Sequence, residues 1–297
     1  METLGKWGAT LACVGMAAVY VVTLHSPTLI FRRPPPISFN HFLIRRFICA
    51  VAASLLCIFL SAVLLLSTST ATSELTYLLP AYGVRADHFW RAVGCSFSLT
   101  CLMYAGSLLH KSIELWTWRS AAVSQLCAFL LSLPSNISAW RNLVVAPITE
   151  ELVFRACMIP LLLCSGFNPR TIVFLCPVFF SLSHLNHLFE FDSQKDCYVV
   201  KFSLALGVQL VYTMVFGSYA SFLFVRTGHI VAPLVAHIVC NFMGLPVVYS
   251  KRGLIVSLAS IAGVIGFIWL LIPLTVPALY NSTTDGCHCW QGYCTPR

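Results

Sequence analysis

Long apolar segments alternate with short polar connections along the whole chain. The apolar segments span about 9–24, 47–67, 89–109, 119–133, 140–164, 171–189, 202–225, 229–248 and 253–279. A helix needs roughly 20 apolar residues to cross a bilayer, so several segments are long enough and a few are short. The pattern predicts an all-α polytopic integral membrane protein, a bundle of about seven to nine transmembrane helices.

The organisation along the chain indicates one domain. No internal repeat, soluble appendage or low-complexity linker interrupts the apolar pattern. We therefore expect a single membrane domain over 1–297, with N-terminal helices in 1–138, a core in 139–250, and a last helix and tail in 251–297. Lys6 precedes the first apolar segment as in a signal peptide, but no small-x-small cleavage site follows, which favours a retained helix.

Composition supports a membrane location. The 297 residues are 58% hydrophobic and only 9% charged, whereas soluble domains carry about 25% charged residues. The net charge is +8, and four arginines lie between the first two apolar segments: Arg32, Arg33, Arg45 and Arg46. Basic connections favour the cytosolic side, so we place this one there, beside anionic lipid headgroups. No patch of basic and aromatic residues suggests nucleic-acid binding.

The fourteen cysteines do not indicate a disulfide framework. Most lie inside apolar segments, where a free cysteine acts as a small hydrophobic residue. The one tight cluster is "CHCWQGYC" at 287–294, whose spacing matches no standard zinc pattern. We expect this cluster to be incidental.

Ionisable residues inside apolar segments are the candidates for function, because each costs about 2.5–3.5 kcal/mol at mid-membrane. The stretch "APITEELVFRA" contains Glu150, Glu151 and Arg155. Pro147 suits the first turn of a helix, which would place both glutamates near its positive end. Glu151 and Arg155 are four residues apart and can pair, while Glu150 is rotated by about 100° and is an acid–base candidate. A buried ion pair plus a helix-capping carboxylate is the structural alternative.

Two further polar sets lie on later apolar segments. In "FSLSH", Phe180 and His184 share a helix face, and His187 follows three residues later. His187 lies nearer the end of its segment and fits a purely structural hydrogen bond better than His184. In "HIVCN", His237 and Asn241 are one turn apart and could donate together to a developing oxyanion, or could join two helices by hydrogen bonds.

Taken together, these residues could line one polar cavity inside the bundle, where a carboxylate and an imidazole can activate water. The serine-hydrolase motif G-x-S-x-G and the zinc motif H-E-x-x-H are absent. Two alternatives stay open. Glu150, His184 and His237 could bind zinc as a two-His, one-Glu set. The polar groups could also serve a non-catalytic scaffold or a transporter, although no repeat typical of transporters is apparent.

Three motifs resemble those of a known family. "EELVFR" (150–155) matches E-E-x-x-x-R, "FSLSH" (180–184) matches F-x-x-x-H, and "HIVCN" (237–241) matches H-x-x-x-N. In this order and on separate helices, they resemble the signatures of the type II CAAX prenyl endopeptidases, especially the eukaryotic members of the endoplasmic reticulum. The resemblance is close over 139–250 and is limited to hydropathy in the first half.

The resemblance implies a role for each motif residue. Family members are multi-helix membrane proteases that remove the last three residues from a prenylated C-x-x-x terminus. By motif position, Glu150 would be the catalytic base and would work with His184 on the attacking water, while His237 and Asn241 would form the oxyanion hole. Three further residues would support the site: Glu151, Arg155 and Phe180.

The resemblance also implies partners and a location. The substrates would be farnesylated or geranylgeranylated CAAX proteins such as Ras-like small GTPases, reached from the surrounding lipid. The mechanism would depend on glutamate and need neither a metal nor another cofactor. The protein would be a multi-pass protein of the endoplasmic reticulum membrane.

Overall fold

The computed structural model describes residues 4–29, 38–68, 74–117, 131–132, 135–185, 199–246 and 254–280. Within these ranges every regular element is helical, which confirms the all-α class. The first half contains α1 (Lys6–Leu29), α2 (Phe39–Thr68), α3 (Glu74–Ala81), α4 (Phe89–Met103) and α5 (Ala105–Thr117). His187 and the 287–294 cysteine cluster lie outside the described residues.

The second half begins with a long interrupted helix, which we call the 137–164 helix. It consists of α6 (Ile137–Trp140), a first π segment (Arg141–Val145), α7 (Ala146–Glu151), a second π segment (Leu152–Cys157) and α8 (Met158–Cys164). After it come α9 (Pro169–Ser183), α10 (Val199–Thr227), α11 (Val231–Met243), α12 (Leu254–Leu274) and a 3₁₀ turn (Pro277–Leu279).

Several of these helices are long and apolar enough to cross a bilayer, so the protein is a multi-pass membrane protein. Four satisfy this criterion alone: Lys6–Pro27, Phe39–Ser67, Leu206–Thr227 and Leu254–Leu274. The α4–α5 pair, bent by 78°, is a candidate fifth span, and α9 and α11 are shorter apolar helices. The count of seven to nine stays a prediction, because most of the 119–133 segment is outside the described residues and the 137–164 helix is interrupted.

The 137–164 helix begins earlier than the sequence predicted. The Asn136 side chain caps its first turn by accepting the Ala139 N–H at 3.0 Å, so Pro147 lies well inside the helix. The prediction that Pro147 opens a helix with both glutamates at its positive end is therefore wrong. In the first π segment the Ala146 N–H bonds the Arg141 carbonyl, five residues back. The same register would pair residue 147 with the Asn142 carbonyl, but proline has no N–H to donate.

The core that holds the 137–164 helix is apolar and tightly packed. Its side chains contact α1, α2, α9 and α10, with Phe154 and Met158 fully buried. Eight described cysteines are free and several of them are buried, as expected for small hydrophobic residues. Cys164 is the exception, because it is disulfide-bonded.

The last helix, α12, mainly faces outward. Its exposed residues include Leu254 and Trp269, which are 76% and 78% exposed, as expected for a surface in contact with lipid. On the inner side, a Cβ added at Gly263 would overlap the Leu102 carbonyl oxygen of α4. Glycine is needed here because helices in a membrane approach closely through small residues.

A polar cluster closes one end of the bundle, next to the connection between α10 and α11. Arg85 donates to Asp87 at 3.0 Å and lies 3.5 Å from the Tyr280 carbonyl. Burial would raise the pKa of Asp87, but the hydrogen bonds and charge of Arg85 outweigh it and hold that pKa below its usual value. The cluster fastens the segment before α4 to the residues after α12.

Candidate active site

A cavity of about 360 Å³ lies between α1, α2, the 137–164 helix, α9, α10 and α11. Its lining contains all four predicted catalytic residues and the predicted supporting phenylalanine: Glu150, His184, His237, Asn241 and Phe180. These side chains come from three helical segments that are far apart in sequence. The other two predicted supporting residues, Glu151 and Arg155, are 1% and 0% exposed and are not part of the lining.

The predicted ion pair between Glu151 and Arg155 is present. The Arg155 Nη1 donates to Glu151 Oε1 at 3.1 Å. The Arg155 guanidinium also lies 4.5 Å from the ring centre of Phe180 and 3.4 Å from the Gly217 carbonyl. A cation over an aromatic face is stabilised by the ring's electrons, so Phe180 supports the buried charge.

Glu151 also binds His237, a contact that the sequence did not predict. The His237 Nδ1 lies 2.7 Å from Glu151 Oε1, the same oxygen that accepts from Arg155. The three side chains form a continuous chain from Arg155 through Glu151 to His237, which fixes the imidazole relative to the 137–164 helix. Its other nitrogen, Nε2, lies 3.7 Å from Glu150 Oε2 at the cavity surface. The adjacent glutamates therefore take different positions around one imidazole.

His184 is held by its own helix. It lies at the C-terminal end of α9, with its Nδ1 2.8 Å from the Phe180 carbonyl and its ring packed edge-on against the Phe180 ring at 4.7 Å. A carbonyl can only accept, so Nδ1 carries the proton in this bond. A neutral imidazole with its proton on Nδ1 has its lone pair on Nε2, the nitrogen that can accept a hydrogen bond.

Asn241 is positioned by the interruption of the 137–164 helix. Its Nδ2 donates to the Asn142 carbonyl at 2.8 Å. That carbonyl lies opposite Pro147 in the π register and therefore receives no N–H from residue 147. An amide group has two N–H bonds, so one can hold the Asn142 carbonyl while the second serves a ligand.

Several further residues line the cavity and were not predicted as site residues, among them Tyr20, Arg46 and Arg141. The Tyr20 hydroxyl lies 3.1 Å from Thr149 Oγ1, next to Glu150. Arg46 was interpreted only as a topology signal. Its position seven residues into α2, about two turns inside an apolar helix, is the signal that could have identified it.

The predicted zinc alternative is not assembled as a metal site. Across the described part of the chain, no group of three or more His, Cys, Asp or Glu residues is arranged to hold a metal ion. Glu150, His184 and His237 surround the cavity as separate polar groups. Their arrangement suits acid–base chemistry on a bound water.

Comparison with known proteins places the chain in a family. Residues 132–243, which include all three motifs, match the family described as "Type II CAAX prenyl endopeptidase Rce1-like". The chain is 48% identical to CAAX prenyl protease 2 of Arabidopsis thaliana over 99% of this chain and 97% of that protein. It is 33% identical to CAAX prenyl protease 2 of Homo sapiens over 93% and 84%. No solved structure matches it. With two relatives aligned over nearly its full length, the chain belongs to the type II CAAX prenyl endopeptidase family.

Proposed function

We propose that this protein is an intramembrane endopeptidase that removes the C-terminal tripeptide from prenylated CAAX proteins. The observation that carries the proposal is the single cavity lined by Glu150, His184, His237 and Asn241. Peptide hydrolysis needs a base, a held water and donors for the oxyanion, and these four side chains can supply all of them. The relatives named CAAX prenyl protease 2 support the choice of substrate.

Glu150 is the general base in this mechanism. Water bound between its carboxylate and the His184 Nε2 loses a proton to Glu150 as its oxygen attacks the carbonyl of the prenylated cysteine. The protonated Glu150 then delivers that proton to the leaving amine of the tripeptide. General acid–base catalysis of this kind contributes about 10²–10⁴-fold to the rate.

His237 and Asn241 stabilise the oxyanion. Because His237 donates its Nδ1 proton to Glu151, donation from Nε2 requires that the ring carry both protons. Two carboxylates lie close to the ring: Glu151 Oε1 is 2.7 Å from Nδ1 and Glu150 Oε2 is 3.7 Å from Nε2. Glu151 and Arg155 thus support catalysis by orienting His237, without touching the substrate.

The partners are prenylated proteins such as Ras-like small GTPases, with either a farnesyl or a geranylgeranyl group. Anchoring by the prenyl chain raises the local concentration of the tail near the cavity. The location that we propose is the endoplasmic reticulum membrane, on the strength of the family resemblance. Microscopy of a tagged chain with an organelle marker tests this location.

The experiment compares wild type with Glu150→Gln, which keeps the size of the side chain and removes the base. Purified membranes are incubated with a farnesylated CAAX peptide and the released tripeptide is measured. We expect a loss of at least about 10²-fold in Glu150→Gln. Glu114→Gln on α5, an exposed position outside the cavity, is the matched control and should cleave as wild type does.

Near-normal release by Glu150→Gln would contradict the proposal. A second arm of the assay contains a zinc chelator and should leave the wild-type rate unchanged. Loss of activity that added zinc restores would instead favour the metalloprotease alternative. A wild type that binds the prenylated peptide but never cleaves it would favour the scaffold or transporter alternative.

A further inference from the structure

Two arginines in the cavity have no role in the hydrolytic chemistry described above. Arg46 comes from α2 and Arg141 from the first π segment, and among the described residues that line the cavity they are the only Arg or Lys. A cationic group inside a membrane protein is costly and normally marks a binding site for an anion or a structural ion pair.

Arg141 is exposed and has most of its donors available. Its Nε donates to Asn142 Oδ1 at 2.9 Å, and its two terminal nitrogens make no hydrogen bond to any part of the chain that the structure describes. The terminal nitrogens of a guanidinium match the two oxygens of a carboxylate. Arg141 can thus bind a carboxylate without losing an existing ion pair.

Arg46 is half-buried and held in place on the α2 side of the cavity. Its guanidinium lies 5.1 Å from the ring centre of Phe42, and its Nη2 lies 3.4 Å from the His25 Nε2. Arg46 is among the residues that line the cavity, so its positive charge acts on a ligand bound there.

The distance from Arg141 to Glu150 fits the length of the excised peptide. The two residues are nine positions apart along the 137–164 helix, which corresponds to at most about 13 Å at the α-helical rise of about 1.5 Å per residue. An extended tripeptide spans about 10–11 Å. The flexible arginine side chain can cover the difference, so a terminal carboxylate three residues beyond the attacked carbonyl lies within reach of Arg141.

The charges of the cavity also give the substrate a direction. Glu150 would repel the carboxylate of the substrate's last residue, whereas Arg141 and Arg46 attract it. A peptide bound with its carbonyl at Glu150 and its carboxylate at the arginines satisfies both conditions.

We propose that Arg141, together with Arg46, binds the free α-carboxylate of the substrate's last residue and thereby sets the cleavage position three residues from the end. This assignment rests on the proposed function, because it needs a substrate that ends in a free carboxylate. It adds two specificity-determining residues to the site.

The test compares two farnesylated CAAX peptides that differ only at the terminus, a free acid and an amide. For wild type, kcat/KM should be about 10–100-fold higher for the acid, as expected for two charge-assisted hydrogen bonds. In Arg141→Gln, kcat/KM for the acid should fall by a similar factor. The ratio of kcat/KM for the acid to kcat/KM for the amide should therefore fall towards one. Arg46→Gln should reduce the preference by a smaller factor.

Arg170→Gln, at an exposed position outside the cavity, is the control and should keep the wild-type preference. Equal cleavage of acid and amide by wild type would overturn the proposal, and this result does not depend on any variant folding. An unchanged preference in the double variant Arg46→Gln/Arg141→Gln would also overturn it. Failure of the proposed function would look different, since wild type would then release no tripeptide from either peptide, and the carboxylate assignment would fall with it.

Discussion

The last helix, α12, and the 137–164 helix are both apolar, but they are built in opposite ways. α12 runs for 21 residues without interruption and buries only Val256, Ser260 and Gly263. The 137–164 helix changes from α to π and back twice, and it holds Glu151 and Arg155 out of contact with solvent. One helix is regular and faces lipid, whereas the other carries charge and chemistry.

The difference shows what the interruptions achieve. A regular α-helix uses nearly all of its carbonyls internally and offers little to other groups. In the 137–164 helix, the π register and Pro147 release the Asn142 carbonyl, and Asn241 of α11 binds it. π segments occur often at functional sites, and here one of them connects the backbone to a predicted catalytic side chain.

The largest effect is expected from Arg155→Met, which replaces the buried cation of the 137–164 helix with an apolar side chain. The substitution leaves the Glu151 carboxylate buried without its cation, at a cost of about 3–5 kcal/mol in the free energy of unfolding. It also frees Glu151 to move, so His237 loses its orientation. We expect a strong fall in thermal stability in detergent and no measurable tripeptide release.

The double variant Arg155→Met/Glu151→Gln separates charge from packing. Removing the uncompensated carboxylate should recover part of the stability, while activity stays low because His237 then lacks a charged acceptor. Arg170→Met, on the exposed start of α9, serves as the surface control and should match wild type in both assays. A stable and active Arg155→Met would show that the buried pair supports neither the fold nor the site.

A smaller effect is expected from Pro147→Ala, which restores the missing N–H of the 137–164 helix. Alanine is about 3 kcal/mol more favourable than proline inside a helix, so thermal stability should stay level or rise. The new N–H can bond the Asn142 carbonyl and displace Asn241. Because small displacements of reacting groups are costly, we expect kcat to fall by roughly tenfold or more.

Pro273→Ala is the matched control, since Pro273 is an exposed proline inside α12. It gains the same N–H far from the cavity, and cleavage should not change. If Pro147→Ala cleaved as fast as Pro273→Ala, the interruption at Pro147 would have no part in positioning Asn241.

The sequence was sufficient to predict contacts that depend only on residue spacing within one helix. Four-residue spacing placed Glu151 against Arg155 and His184 against Phe180, and both contacts are present. The hydropathy of the sequence was sufficient to predict an all-α membrane protein. The three motifs also identified four residues that line one cavity, although spacing alone left open whether they would meet.

Features that depend on packing between helices could not be predicted in this way. The bond from Glu151 to His237 joins residues 86 positions apart, and no local pattern determines it. Pro147 was misplaced because proline usually opens a helix, whereas tertiary contacts here stabilise π turns around it. Arg46 was overlooked because a basic residue near an apolar segment is usually a topology signal.

The smallest effect is expected in α12 itself, where packing alone is at stake. Gly263→Ala places a methyl group against the Leu102 carbonyl and the Ala105 Cβ, whereas at Gly266 the nearest atom is a Leu102 methyl 3.8 Å away. Alanine raises helix propensity equally at both positions, so the difference between the variants isolates the helix contact. We expect Gly263→Ala to lose about 1–3 kcal/mol of stability.

Gly266→Ala should stay level with wild type or slightly above it in the same thermal unfolding measurement. Tripeptide release should remain close to wild type in both variants, because no α12 residue lines the cavity. Equal melting temperatures for the two variants would mean that α12 does not pack closely on α4. A large loss of activity in Gly263→Ala, with stability retained, would show that the lipid-facing helix controls the site, and the contrast with the 137–164 helix would no longer hold.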